Sequence, residues 1–265
     1  MNNVSRLINE SRKIVIKIGS NTISGSSGKV NYALMHNIVD QINELIKMGK
    51  KVVIVSSGAG ICGVAAINKW HRKGDINYKQ ALCAIGQVEL MNAYKDLFDD
   101  YRLHVAQILL TREDFEENNR NLNIRNTLFT LVDEGVVPII NENDSVCVDE
   151  IRIGDNDTLA ALTANLWGAD LLILFSDIDG IYDKNPNEHP DAQLIPEVRD
   201  IEKLKKEIDI SGKSDFGTGG IATKLIAVEL LAEYGIPMIL TNGQKEDVLR
   251  KLIDGTMTST VFINE

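Results

Sequence analysis

The chain has 265 residues, 44% of them hydrophobic and 25% charged, an ordinary globular composition with room for a sizeable core. Its formal net charge of −10 argues against a nucleic-acid partner, because phosphate neutralisation needs a basic face; any anionic ligand must be met by individual lysines. No apolar run approaches the roughly 18 residues of a membrane span, and Met1–Lys13 is polar, without the apolar stretch of a secretory leader.

In chain order, the first β-branched run is Lys13–Ile18. A helix follows over Asn31–Met48, with Leu34, Ile38, Ile42, Leu45 and Ile46 at helical spacing and Gly49 as its stop. Lys51–Ser56 is the next strand and Asn77–Tyr101 the next helix. Then come strand His104–Leu109, helix Asn121–Glu134, strand Val136–Ile140 and helix Asp155–Leu166. Strand Leu171–Phe175, helix Gly219–Tyr234, strand Ile236–Leu240, helix Lys245–Asp254 and a last strand, Thr258–Asn264, complete the series. The strands read as nearly continuous apolar runs, as expected when both faces are covered. This βαβα alternation predicts an α/β fold, a mostly parallel sheet with helices on both sides. Val146–Ile153 alternates like a hairpin, Tyr182–Pro196 reads as a loop, and Lys203–Ser214 as a charged surface segment. No internal repeat or low-complexity linker is visible, and the last strand is expected to finish the domain.

Several segments could carry chemistry. Gly217–Lys224 places glycines at the mouth of an apolar-periodic helix and a lysine one turn inside, a combination suited to polyphosphate. Lys17 ends an apolar run before Gly19-Ser20. It shares a strand face with Val15, so it either sits at the strand's carboxyl end facing a ligand or lies past it in water. Ser56–Gly60 is either an anion-binding turn or an ordinary βα turn. Asn141–Asp144 could meet the ammonium and carboxylate of an amino acid, or be a solvated loop. In Gly154–Thr158, Asp155 suits a helix N-cap while Asp157 could position lysines. Ser176–Tyr182 could touch a nucleotide or only turn. The glycine segment follows no strand and lacks the downstream ribose acid of a dinucleotide fold, and no Walker A pattern occurs. Cys62, Cys83 and Cys147 form no C-x-x-C pair and read as reduced thiols of a cytoplasmic protein; the four histidines have no metal-ligand spacing.

Five motifs in order, VIKIGS, VSSGAG, INENDSV, IGDNDTLAAL and GTGGIATKL, resemble those of the amino acid kinase family from about Lys13 to Phe262. INENDSV with GDNDTLAAL resembles the glutamate-phosphorylating members; acetylglutamate kinases carry a glycine run where this chain has SSGAG. The resemblance implies a three-layer αβα sandwich and one kinase domain over 1–265. Its N-terminal lobe (about 12–168) would bind L-glutamate, and its C-terminal lobe (about 169–265) ATP. It places Lys17 and Lys224 at the phosphoryl-transfer site, with Asp157 organising them. Ser57, Asp144 and Asn156 match glutamate-binding positions, with Gly58, Asn141 and Asp155 in the same motifs. Lys17, Gly19, Ser176, Asp177, Thr218, Gly219, Gly220, Ile221, Ala222, Thr223 and Lys224 match the nucleotide side; Ser176 stands where the family often has Thr.

The implied reaction gives L-glutamyl 5-phosphate, the first step of proline biosynthesis. Mg²⁺ would be carried on ATP rather than by a protein metal site. The resemblance further implies a homo-oligomer, possible inhibition by proline and transient contact with glutamyl phosphate reductase. The C-terminal PUA domain of many bacterial relatives is not expected here. Rival readings are a kinase of the same fold acting on aspartate, acetylglutamate, carbamate or UMP, a non-catalytic sensor, and a nicotinamide oxidoreductase.

Overall fold

The computed structural model describes residues 2–24, 30–68, 74–147, 156–186, 188–208 and 220–263, apart from the side chain of Glu207. Among these residues the strands are β1 (Lys13–Ile18), β2 (Lys51–Ser56), β3 (Val105–Leu110), β4 (Val137–Glu142), β5 (Leu171–Ser176), β6 (Ile181–Tyr182), β7 (Leu194–Ile195), β8 (Glu197–Val198), β9 (Met238–Asn242) and β10 (Ser259–Phe262). The helices are α1 (Asn3–Glu10), α2 (Ser20–Ser24), α3 (Tyr32–Lys47), α4 (Ala59–Ile67), α5 (Ile76–Asp99), α6 (Glu113–Glu116), α7 (Asn118–Asp133), α8 (Asn156–Trp167), α9 (Ile201–Glu207), α10 (Ile221–Ala232) and α11 (Val248–Asp254).

Eight strands form one sheet in the order β3-β4-β2-β1-β5-β9-β10-β8. All neighbours run parallel except β9 and β10. Because side chains alternate along a strand, β1 feeds both faces. Ile14, Ile16 and Ile18 join one core layer with residues of α1, α3, α4, α5 and α11. Val15 joins the other with residues of α7, α8 and α10. The sandwich therefore has three layers. Fully burying each such Val or Ile contributes about 1.5–3 kcal/mol, which is why the central strands carry almost no polar residue before their ends.

Register sets the site. Ile18 of β1 lies level with Ser56 of β2 and Phe175 of β5. The turns that follow these three strands, beginning at Gly19, Ser57 and Ser176, thus open side by side at the carboxyl end of the sheet. Lys17 points to the face holding α8 and α10, the helices whose first turns carry Asp157 and Lys224.

The N-terminal stretch, polar in sequence, forms α1. The Asn2 side chain accepts from the Ser5 amide at 2.9 Å, an N-cap, and Ser5 Oγ donates to the Ile253 carbonyl at 2.5 Å. At the other end the buried Lys50 ammonium donates to the carbonyls of Ile8, Asn9 and Ser11 at 2.6, 3.2 and 2.8 Å. The expected Tyr182–Pro196 loop contains the short β6–β7 hairpin at its ends. Most of the Val146–Ile153 alternation lies outside the described residues; Val146 and Cys147 themselves are not strand.

Candidate active site

Asp157, in the first turn of α8, is 2% exposed and holds two ammonium groups. Lys17 Nζ lies 2.7 Å from its Oδ1 and Lys224 Nζ 3.2 Å from its Oδ2. The lysines come from β1 and α10, so three separate elements meet at one carboxylate. Burial alone would push the Asp157 carboxyl up; the two nearby cations outweigh that and hold it well below the ordinary carboxylate range. Two ammonium groups thus meet one carboxylate inside a low-dielectric setting where charge acts strongly. Thr223 Oγ1 lies 3.1 Å from Asp157 Oδ2 and 2.9 Å from the Gly220 carbonyl, and its single proton serves one of them at a time. A Cβ on Gly19 would stand 3.4 Å from Lys17 Nζ, so the turn after β1 runs directly beside that ammonium.

Next to this charged cluster lies a neutral one. Asn156 Nδ2 donates to Ser57 Oγ at 2.6 Å and to Asn141 Oδ1 at 3.1 Å. Asn141 Nδ2 donates to Gln87 Oε1 at 2.8 Å, and Asn141 Oδ1 also accepts from the Glu142 amide at 2.9 Å. Gly58 follows Ser57 at φ +105°, a left-handed conformation that favours glycine; a Cβ there would also press Ile23 Cδ1 at 3.0 Å. Asp144 sits in the turn after β4. Burial raises its carboxyl, while the Cys83 thiol, which donates to it, works the other way.

On the other side of β1, Ser176 ends β5 and is buried. Its hydroxyl donates to Asp177 Oδ1 at 3.1 Å, and Asn21 Nδ2 donates to Asp177 Oδ2 at 2.9 Å. Asn242 Nδ2, from the end of β9, donates to the Asp177 carbonyl at 3.3 Å. Gly220 is the N-cap of α10. Of the first-turn residues, Thr223 and Lys224 are buried toward Asp157, Ile221 is half-buried, and Ala222 faces solvent.

The structure thus brings together Lys17, Asp157, Thr223 and Lys224, and separately Ser57, Asn141 and Asn156. Asp155, Thr218 and Gly219 lie outside the described residues. Sequence reasoning missed Gln87, Cys83 and Asn21. Each is a polar or thiol side chain whose partner is distant in the chain. Among the described residues no three His, Cys, Asp or Glu side chains converge as a metal cage. Both oxygens of Asp157 face ammonium groups, so the protein groups at this centre suit anions rather than a bare cation.

An α/β sandwich with a buried Lys–Asp–Lys cluster at the carboxyl end of its sheet defines a class suited to anionic, phosphate-bearing ligands. The family model described as "Amino acid kinase family" matches residues 12–242. The chain belongs to the amino acid kinase family. Its relatives include the glutamate 5-kinase of Alkaliphilus metalliredigens, 62% identical over 98% of each chain, and that of Alkaliphilus oremlandii, 57% identical over the same shares. The carbamate kinase of Giardia lamblia bound to AMP-PNP shares the fold, with a TM-score of 0.66 and 15% identity over 97% of this chain and 100% of that one. No helix among the described residues is long and apolar enough to cross a membrane.

Proposed function

We propose that the chain transfers the γ-phosphoryl group of ATP to the side-chain carboxylate of L-glutamate, releasing ADP and L-glutamyl 5-phosphate, the committed compound toward proline. The observation that carries this reading is the pair of lysines held 2.7 and 3.2 Å from the two oxygens of one buried carboxylate, beside the amide cluster at Asn156. The relatives named above support glutamate as the acceptor.

The acceptor carboxylate has an ordinary pKa near ~4.3 and is an anion at neutral pH, so it needs no general base. One of its oxygens attacks the γ-phosphorus as the bond to the β–γ bridging oxygen breaks, and ADP takes the electron pair. The obstacle is anion approaching polyanion. Lys17 and Lys224 offset charge on the transferred group and the departing oxygens, while Asp157 fixes where both ammonium groups stand. Ser57, Gly58, Asn141, Asp144, Asp155 and Asn156 are assigned to the acid; Gly19, Ser176, Asp177 and the segment Thr218–Lys224 to the nucleotide. Division into an N-terminal acid lobe and a C-terminal nucleotide lobe follows from that assignment. Mg²⁺ would arrive on the nucleotide phosphates, with water completing its shell, and lessen their charge. A cytoplasmic homo-oligomer, inhibited by proline and handing its labile product to glutamyl phosphate reductase, completes the reading.

The test is ADP release from the purified chain with Mg-ATP and hydroxylamine, comparing L-glutamate with aspartate, acetylglutamate, carbamate and UMP. Glutamate-dependent ADP matched by γ-glutamyl hydroxamate is expected. Turnover with a different acceptor would reassign the acid-binding turns, and ATP binding without turnover would favour a sensor.

A further inference from the structure

We infer that Gln87, in the middle of α5, is a specificity residue that donates to the α-carboxylate of the amino acid acceptor; this deepens, and rests on, the glutamate reading above. The argument starts from one backbone group. The Glu142 amide can only donate, and it reaches an Asn141 side-chain atom at 2.9 Å, which must therefore be Oδ1. The other end of the Asn141 amide is then Nδ2, a donor. Its partner in Gln87 at 2.8 Å must be the acceptor Oε1. By the same logic the Asn156 atom 3.1 Å from Asn141 Oδ1 must be Nδ2, which also reaches Ser57 Oγ at 2.6 Å. One backbone N–H fixes the orientation of three side-chain amides.

Two groups are left over. Gln87 Nε2 carries donors and Asn156 Oδ1 is an acceptor, and neither atom has a partner among the described residues although both are buried. The residues are 8% and 9% exposed. Buried polar groups are rarely left unmatched, because each costs stability. A chain of amides ending in an unmatched donor and an unmatched acceptor suits a ligand that carries both an anion and a cation. The carboxylate and ammonium on the α-carbon of an amino acid are such a pair. Asn156 adjoins Asp157, whereas Gln87 is separated from the Lys17–Asp157–Lys224 cluster by Asn141 and Asn156. The donor end therefore meets the carboxylate that is not phosphorylated, and Asn156 Oδ1 accepts from the ammonium.

Gln87 reaches this position because α4 and α5 touch backbone to backbone. A Cβ on Gly86 would stand 1.7 Å from the Ala59 carbonyl oxygen, and one on Gly63 1.9 Å from that of Leu82. Glycine at both positions lets α5 sink far enough for its next residue to meet Asn141.

The test compares L-glutamate with L-isoglutamine, whose α-carboxylate is an amide and whose side-chain carboxylate remains a competent acceptor. Gln87→Glu keeps the acceptor toward Asn141 Nδ2 and replaces the donor with an anionic oxygen. ADP-release kinetics should show KM for glutamate rising roughly tenfold to a hundredfold, with KM for ATP moving less than about twofold. The preference for glutamate over isoglutamine should fall by a similar factor. Gln87→Met, nearly isosteric and uncharged, should weaken the same preference and serves if the glutamate variant does not fold. Equal losses toward both acceptors, or an unmoved preference in both variants, overturn the inference. Wild-type protein inactive on glutamate sinks the parent reading and this one together; an active wild type with unmoved variants sinks this one alone.

Discussion

Lys13 and Lys17 stand four residues apart on the same face of β1, and α8 lies over both. At the carboxyl end of that helix the Lys13 ammonium donates to the Trp167 carbonyl and sits 4.7 and 4.8 Å from the centres of the Trp167 and Phe129 rings. A cation there agrees with the helix dipole and with the ring faces. Burial lowers its pKa, and the Asp170 carboxylate partly restores it. Some 18 Å away, by the rise of a 12-residue helix, Lys17 meets the amino end of α8, where the dipole opposes a cation. Lys224 joins it there, and both ammonium groups lie against Asp157. One lysine is placed where the local field welcomes it, and two where it does not. The second arrangement depends on a single shared carboxylate and becomes more favourable when an anion arrives. The contrast gives a physical ground for the proposed roles of Lys17 and Lys224.

Removing Asp157 should break the charged end most severely. In Asp157→Asn two buried ammonium groups lose their shared carboxylate, a loss of about 3–5 kcal/mol when one partner of a buried pair is deleted. Turnover should fall by roughly a hundredfold or more, because the lysines lose their fixed positions. The pH dependence gives an independent check. The folded carboxyl is held below its ordinary value of 3.8, so its stabilising effect is present above that value and is lost as pH falls through the folded one. Urea unfolding of wild type and variant should therefore differ at neutral pH and converge in acid. Equal stability at neutral pH would show that the cluster contributes nothing to the fold.

Paired substitutions sharpen the lysine comparison. Lys224→Ala should lower kcat on the order of a hundredfold while the protein stays folded. Lys13→Met should leave kcat within about twofold and reduce stability by about 1–2 kcal/mol, through the unpaired Trp167 carbonyl and lost ring contacts. Thermal melts and ADP-release assays on both variants decide it. If Lys13→Met were the inactive one, the dipole argument would fail.

A third variant, Gly86→Ala, tests the neutral cluster through packing. The added carbon would overlap the Ala59 carbonyl, so α5 must move away from α4 at a cost of about 1–3 kcal/mol. Gln87 would move with it, and KM for glutamate should rise more than KM for ATP. An unchanged KM for glutamate would separate the helix contact from the acid site.

The same contrast explains what was legible in the sequence. β1 and β2 match their expected runs because strands covered on both faces must be apolar throughout. Lys17 stood out by ending an apolar run, Lys224 by following glycines one turn inside a helix, and Asp157 because Asp155 already suited the N-cap. α1 was not legible: its buried residues are only Val4, Ser5 and Ile8, and Ser5 bonds a carbonyl 248 residues away. α4 was hidden because nearly all its residues are small or apolar, leaving no helical stripe against a polar face. Gln87 was invisible for a related reason. A glutamine in mid-helix is ordinary, and its meaning comes from Asn141, 54 positions on, which only the packed sheet brings to it. Local pattern reports what a residue interrupts, not what it meets across the fold.

The mildest expected effect concerns Asp144, in the turn after β4. Burial raises its carboxyl above 3.8, with the Cys83 thiol offsetting part of the rise. A carboxyl raised in the folded state stabilises the protein below the unfolded value, and that contribution is lost as pH rises through the folded one. Above it the fold carries a poorly solvated carboxylate, which an amino acid's ammonium would relieve. KM for glutamate should therefore fall as pH rises through the raised Asp144 value. Glutamate's own side chain also titrates, near ~4.3, so the wild-type profile contains two contributions. Asp144→Asn removes one of them and should leave the shallower profile of the substrate alone, with KM higher by several-fold at neutral pH. KM for ATP, measured across the same range, should be indifferent to the substitution. A variant whose glutamate profile overlays that of the wild type would place Asp144 outside the acid site and leave recognition of the ammonium to Asn156.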